Sequence, residues 1–168
     1  MNLQKIDKQL YRSRLNLVIV LCIGFLALSS LAVSQTLIYL FPDESGSHFH
    51  WNLLGVIVSA IATVAILIKL KSNPKMYEVA YVWDLKQALN LIYRKNRALK
   101  AAAKEGDAEA MLALQFSYHG SRQLWELDDN TITISSLETA QRELDEWADE
   151  YGVKLDISRY NPETLKRF

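Results

Sequence analysis

The sequence predicts an all-α membrane protein, in which a two-helix transmembrane hairpin is followed by a small cytoplasmic helical bundle of about three helices. Three observations predict this fold class. Two long apolar runs lie in the first half of the 168-residue chain, basic residues flank those runs asymmetrically, and later apolar residues recur three and four positions apart. The predicted domains are a basic cytoplasmic N-terminus (1–14), the hairpin (15–71) and a cytoplasmic helical domain (72–168).

The two apolar runs are each long enough to cross a bilayer, which takes about 20 helical residues. They predict spans at about 15–41 and 51–70, joined by an external loop at 42–50. A cleaved signal peptide is the competing interpretation of the first run, because basic residues precede it and Ser30–Ala32 resembles a cleavage site. The apolar run continues beyond that site, which favours an uncleaved span.

Basic residues predict the orientation of the spans. Four precede the first span, none lies in 42–50, and three follow the second: Lys5, Lys8, Arg12 and Arg14, then Lys69, Lys71 and Lys75. Cytoplasmic flanks of membrane helices are enriched in Lys and Arg. We therefore expect a multi-pass protein of the bacterial inner membrane with both termini in the cytoplasm.

Small residues recur along one side of each span, at Ala27, Ser30 and Ser34 in the first and at Gly55, Ser59 and Thr63 in the second. Small residues at this spacing let helix backbones approach closely in lipid. We expect the hairpin to close through these residues, and docking of another membrane protein is the alternative. No charged residue lies within the apolar runs, so an ion or proton pathway lacks the group it needs.

The first cytoplasmic helix is predicted to follow Pro74 and to end at Gly106. Its main apolar stripe is Val82, Leu85, Leu89, Ile92, Asn96, Leu99 and Ala103. A second apolar stripe, Tyr77, Tyr81, Ala88 and Leu91, predicts that the half of the helix near the membrane is buried on two sides. Asn96 is the polar member of the main stripe, and a lone Asn at such a position often specifies pairing of two helices. A homodimer through this stripe is one interpretation, and an internal polar contact is the other.

Two further helices complete the predicted bundle. The second begins at the N-cap candidate Asp107 and continues to about Leu127, and the third extends from the capping box at Ser135 to Gly152. Between them, alternating residues predict a short ribbon in which Ile132 and Ile134 pair with Val153 and Leu155. A last helical turn is expected after Asn161.

Charge is segregated along the cytoplasmic domain. Residues 75–104 hold seven basic and two acidic side chains, whereas 105–150 hold two basic and twelve acidic ones. Antiparallel packing is expected to set the basic helix against the acidic pair. The basic cluster (Arg94, Lys95, Arg97, Lys100 and Lys104) is accordingly interpreted as solvated or internally paired. Binding of RNA or lipid headgroups is the alternative, and the chain's equal totals of 19 basic and 19 acidic residues do not favour nucleic acid.

Two resemblances concern the soluble part. Gly106, Asp107, Ala110, Leu114, Tyr118 and Gly120 resemble one Sel-type solenoid repeat, but solenoids need several stacked units and one partial copy is present. The segments "YVWDLKQALNLIYRK" (81–95) and "FSYHGSRQLWELDDNTIT" (116–133), with the hairpin before them, resemble a bacterial family of two-span inner-membrane proteins catalogued only as a domain of unknown function. That resemblance implies a helical domain on a hairpin anchor and brings no catalytic residues.

Three groups of polar residues were weighed as chemical sites. His48 and His50 could bind a metal ion together, but no third ligand lies near them in the sequence. His119 has no nucleophile near it in the sequence. Asp128, Asp129 and Asn130 lack the spacing of a calcium-binding loop. The single cysteine, Cys22, lies in an apolar run and is expected to pack as a small hydrophobe. No catalytic, cofactor or metal residue is therefore predicted.

Without such a site, the sequence favours a non-enzymatic interaction protein, an adaptor or accessory subunit anchored in the lipid bilayer. Its expected partner is another protein or a second copy of the chain, and not a nucleic acid. The alternative is a sensory or regulatory protein that relays a membrane or periplasmic signal to its cytoplasmic bundle.

Overall fold

A computed structural model describes residues 2–42, 46–130 and 134–168 of the chain. The structure is 82% helical, and the described residues contain no strand. It divides into two compact units, one formed by residues 7–80 and the other by residues 1–6 together with 81–168.

Two long helices dominate the first unit, α1 (Lys8–Leu40) and α2 (Phe49–Lys71). The carboxylate of Asp7 caps α1 by accepting a hydrogen bond from the backbone N–H of Leu10 at 2.9 Å. This cap starts α1 seven residues before the predicted span. The rings of Phe41 and Trp51 stack at 5.5 Å between centroids, so the two helices run antiparallel from the segment that joins them.

Both helices are long and apolar enough to cross a membrane, by length and composition. They contain 33 and 23 residues, with mean hydropathy of 2.6 and 2.5 in their most apolar windows. Large apolar side chains such as Val20, Leu28 and Ile61 are exposed along both of them. A water-soluble protein rarely exposes so much contiguous apolar surface, which suggests that these helices lie in a membrane.

Four α-helices follow residue 72: α3 (Tyr77–Arg94), α4 (Asn96–Lys104), α5 (Ala108–Asp128) and α6 (Ile134–Glu150). Short 3₁₀ segments occupy Pro74–Met76, Ile157–Arg159 and Pro162–Arg167. The central helix is α5, in which every residue from Ala110 to Phe116 is buried. It packs against α4, α6 and both C-terminal 3₁₀ segments.

The predicted main stripe of the first cytoplasmic helix forms the core. Its apolar members are buried: Val82, Leu85, Leu89, Ile92, Leu99 and Ala103. Leu85 and Leu89 lie against Gly120 of α5, where an added Cβ would be 3.0 Å from Cδ2 of Leu89. The same chain covers the apolar members of this stripe, and Asn96 is half-buried at the start of α4.

The prediction of one continuous helix up to Gly106 is wrong. The helix is interrupted at Lys95, whose backbone N–H donates to the carbonyl of Ile92 at 2.9 Å in the tighter 3₁₀ pattern. The Lys95 ammonium also donates to the carbonyl of Leu165 at 2.7 Å, a tertiary contact that helix periodicity does not encode. The domain therefore has four α-helices where about three were expected.

The prediction that the second apolar stripe of α3 is buried is also wrong. Tyr81 is buried, but Tyr77 and Leu91 are exposed. Leu91 lies a quarter-turn or more away from the positions that face Gly120. Apolar periodicity does not distinguish a covered face from an exposed one, and here α5 covers only the main stripe.

The predicted ribbon does not form in the described residues. Ile132 lies outside them, Ile134 is the first residue of α6, and Val153 and Leu155 follow Gly152 in a segment without strand structure. Helix-capping residues predicted the structure more reliably than the short alternation of apolar and polar residues did. Asp107 caps α5 by accepting from the N–H groups of Glu109 and Ala110, and Asn161 caps the last 3₁₀ segment as predicted.

Candidate functional site

Small residues form the contact between α1 and α2, as the sequence predicts. Ser34, Gly55 and Ser59 are buried. A Cβ atom added at Gly55 would lie 2.1 Å from Oγ of Ser34 and 2.8 Å from the carbonyl oxygen of Ser30. Ser34 and Gly55 therefore contact each other's helix within the chain. They are not exposed for the alternative use, which is docking of another membrane protein.

The two histidines before α2 lie beside aromatic rings. The His50 ring is 4.6 Å from that of Trp51, and Nδ1 of His48 is buried without a hydrogen-bond partner. Among the described residues, no group of three His, Cys, Asp or Glu side chains is placed to hold a metal ion. No third ligand lies beside His48 and His50 among the described residues. The predicted external loop also includes residues 43–45, which lie outside the described part.

His119 belongs to a polar network between α5 and α6. The amide nitrogen of the buried Gln115 lies 3.0 Å from Nε2 of His119, and the Gln115 oxygen accepts from Gln141 at 2.6 Å. Gln141 also donates to Asp145 at 2.9 Å. Desolvation and the charge of Arg122 lower the pKa of His119, while Asp145 acts in the opposite direction.

This network has no side chain placed as a nucleophile. Because an amide nitrogen only donates, Nε2 of His119 must accept in this arrangement, which requires a neutral imidazole. The network fixes α6 on α5 and gives no sign of acid–base chemistry.

The acidic residues at the end of α5 act as a helix terminus. α5 ends at Asp128, Asp129 adopts the left-handed conformation with φ of 56°, and the N–H of Asn130 donates to the carbonyl of Trp125 at 2.9 Å. Asp128 forms an ion pair with Lys86 of α3 at 3.1 Å. These contacts explain the three residues as a C-terminal cap.

Among the described residues, the basic cluster does not pair with the acidic helices. Lys95 donates to a backbone carbonyl, and the ammonium of Lys104 lies 5.4 Å from the centre of the Trp147 ring. Within the described part of the chain, Arg94, Arg97 and Lys100 form no hydrogen bond or ion pair. The cluster is therefore solvated or internally paired, as predicted from the sequence, whereas Lys86 outside it pairs with Asp128 of α5.

An exposed aromatic surface on α3 was missed by the sequence analysis. Trp83 is 57% exposed, Leu91 51% and Tyr93 76%. We refer to these three exposed residues together as the outer face of α3; Leu91 and Tyr93, two positions apart, point to different sides of the helix. The signal was available, because none of the three falls in the main stripe, but Leu91 was assigned to a second buried stripe and the other two to none.

The N-terminal segment packs on the helical domain, another contact that the sequence did not reveal. The backbone N–H of Gln4 donates to the Tyr81 hydroxyl at 2.9 Å, and that hydroxyl donates to the side chain of Gln123 at 3.0 Å. The amide of Gln123 donates in turn to the carbonyl of Gln4. Gln4 is thus fixed to α3 and α5 by a closed set of three hydrogen bonds.

A family model described as "Protein of unknown function (DUF3087)" matches residues 1–165. The chain belongs to this family. The match includes both apolar helices and nearly all of the helical domain. Neither the curated proteins nor the solved structures give a match.

Proposed function

We propose that this member of the family is a membrane-anchored helical interaction protein, an adaptor or accessory subunit that binds a partner protein through its soluble domain. The outer face of α3 carries the proposal. Aromatic residues are enriched in protein–protein interfaces, and three large apolar side chains of α3, two of them aromatic, are exposed here.

The anchor in this proposal is a hairpin of α1 and α2 that crosses the bacterial inner membrane, with both termini in the cytoplasm. The distribution of Lys and Arg supports this orientation. So does the packing of residues 1–6 with residues 81–168 in one unit, because an even number of crossings returns the chain to its starting side. An ion pair between Arg14 of α1 and Glu78 of α3 also joins the two flanks of the apolar segment.

The expected partner presents an acidic surface around an apolar patch. Basic residues outnumber acidic ones by seven to two between Lys75 and Lys104, which contains the outer face. Arg94 lies next to Tyr93 and has no ion-pair partner within the described residues. Complementary charge of this kind speeds association and selects partners, while burial of the aromatic side chains supplies affinity.

A pull-down from bacterial membranes tests the proposal. The full chain, tagged after Phe168 and solubilised in mild detergent, should retain one protein at fixed stoichiometry. The double variant Trp83→Ser/Tyr93→Ser should lose that protein, because a residue central to an interface typically contributes about 2 kcal/mol or more. Raised salt should weaken retention in the parent.

The matched control is Glu146→Ser, which changes an exposed residue of α6 outside the outer face. It should retain the partner at the parent's stoichiometry. Absence of any stoichiometric partner, or a partner that the double variant retains equally well, would contradict the proposal.

A further inference from the structure

A shallow open cavity of about 410 Å³ lies where α3 gives way to α4. Its lining comprises Arg94, Lys95, Arg97, Ala98, Ala101 and Phe168. The volume falls within the range of about 300–1,000 Å³ that is usual for small-molecule sites. None of these residues belongs to the outer face of α3.

The break at Lys95 brings the two arginines of the cavity together. Arg94 is the last residue of α3 and Arg97 is in the first turn of α4. Both are exposed, and neither forms an ion pair or hydrogen bond with another residue of the described part. Both guanidinium groups line one cavity without a carboxylate partner, so an anion bound in the cavity has two cationic donors available.

Contacts with the C-terminal segment hold the opposite wall. The Lys95 ammonium donates to the Leu165 carbonyl, and the side chain of Leu165 is buried. Arg167 pairs with Asp107 at 3.2 Å and with Glu109, both at the start of α5. These contacts place Phe168 beside α4, with the guanidinium carbon of Arg167 5.6 Å from the centre of its ring.

The remaining lining is apolar. Ala98 and Ala101 are exposed and small, so they leave room beside the Phe168 ring. A ligand that fits this cavity therefore has an anionic end at the arginines and an apolar part over the alanines and the phenyl ring.

We infer that this cavity binds a phosphate ester with an apolar substituent. Arginine presents N–H groups in a planar fork that matches phosphate oxygens in pairs, and the two arginines lie on one side of the cavity. The ester could come from a soluble metabolite or from a lipid headgroup, since both present the same phosphate and apolar chemistry. The inference shares Arg94 with the proposed partner surface, but Trp83, Leu91 and Tyr93, which carry the proposed partner binding, do not line the cavity.

Titration of the full chain in mild detergent tests this inference. Phenyl phosphate should bind more tightly than inorganic phosphate, because only the former has an apolar group for Ala101 and Phe168. Arg94→Gln/Arg97→Gln should weaken the binding of phenyl phosphate by about tenfold or more, because it removes both arginine donors to the phosphate. Phosphatidic acid in nanodiscs, compared with phosphatidylcholine alone, distinguishes a lipid source from a soluble one.

Two further variants make the test specific. Ala101→Leu fills the apolar part without changing charge, so its affinity for phenyl phosphate should fall to that for inorganic phosphate. Arg142→Gln removes an exposed charge on α6 outside the cavity and should bind as the parent does. The inference is overturned if neither phenyl phosphate nor phosphatidic acid binds saturably, or if binding survives both the double arginine variant and Ala101→Leu.

Discussion

Two buried tyrosines in the α5 region have ionisation that marks them as core residues. Burial, with a smaller effect of Glu143, raises the pKa of Tyr118 to about 12. Burial alone raises the pKa of Tyr160 to about 12, and its ring stacks on Phe116 at 4.6 Å between centroids. Both phenols stay protonated at neutral pH, so they pack the domain and offer no general base.

His119 predicts how acid affects the stability of the domain. Its pKa in the folded state is lowered from the usual histidine value of about 6.5, so the unfolded chain binds a proton before the folded chain does as the pH falls. Above about pH 6.5 both states are neutral at this residue and it contributes no pH dependence. As the pH falls below that value, protonation of the unfolded chain should reduce the free energy of unfolding.

Urea unfolding of the full chain in detergent at about pH 7.5 and about pH 5.5 measures this effect. The variant His119→Gln should lose less stability between the two pH values than the parent does. Asp156 does not contribute to this pH dependence, because hydrogen bonds from Ser158 lower its pKa and the carboxyl group stays ionised between these two pH values. An equal loss in parent and variant would show that the Gln115 network does not exclude the proton.

At the scale of elements, local signals predicted the helices and tertiary contacts decided the rest. Asp107, Gly152 and Asn161 marked helix boundaries because capping depends on a few neighbouring residues. The break at Lys95 and the helical start of α6 at Ile134 depend on packing, which propensity does not encode. For the outer face of α3, the sequence shows that its three residues lie outside the main stripe, but periodicity does not show whether another element covers them.

The contact between α1 and α2 gives a prediction about two glycines. Gly55→Val should weaken the association of the helices by about 1–3 kcal/mol, because an added side chain meets Ser34 and the backbone of Ser30. Förster transfer between dyes on Ser13→Cys and Lys71→Cys, in a Cys22→Ser background, reports helix separation. The transfer should disappear at a lower fraction of sodium dodecyl sulfate in the variant.

Gly24→Val is the matched control, because it makes the same change in α1 where no atom lies within 4 Å of an added Cβ. It should leave the transition where the parent has it. If Gly55→Val and Gly24→Val behave alike, the small residues do not set the distance between the helices.

At the scale of the whole molecule, two compact units correspond to two kinds of surface. The unit formed by residues 7–80 exposes apolar side chains along α1 and α2, whereas residues 81–168 bury theirs around α5. Hydropathy alone predicted the two long apolar helices. The placement of the N-terminal segment in the second unit was not predictable, because the hydrogen bonds that join Gln4 to Tyr81 and to Gln123 span 77 and 119 positions of the sequence.

The topology of the chain tests the central claim, that a two-helix membrane anchor carries a cytoplasmic interaction domain, most directly. A phosphatase reporter that folds only outside the cytoplasm should be active when inserted between Pro42 and His50 and inactive when fused after Phe168. A reporter that folds only in the cytoplasm should give the opposite pattern at the same two positions. Activity of the external reporter after Phe168, or its inactivity between Pro42 and His50, would contradict the account.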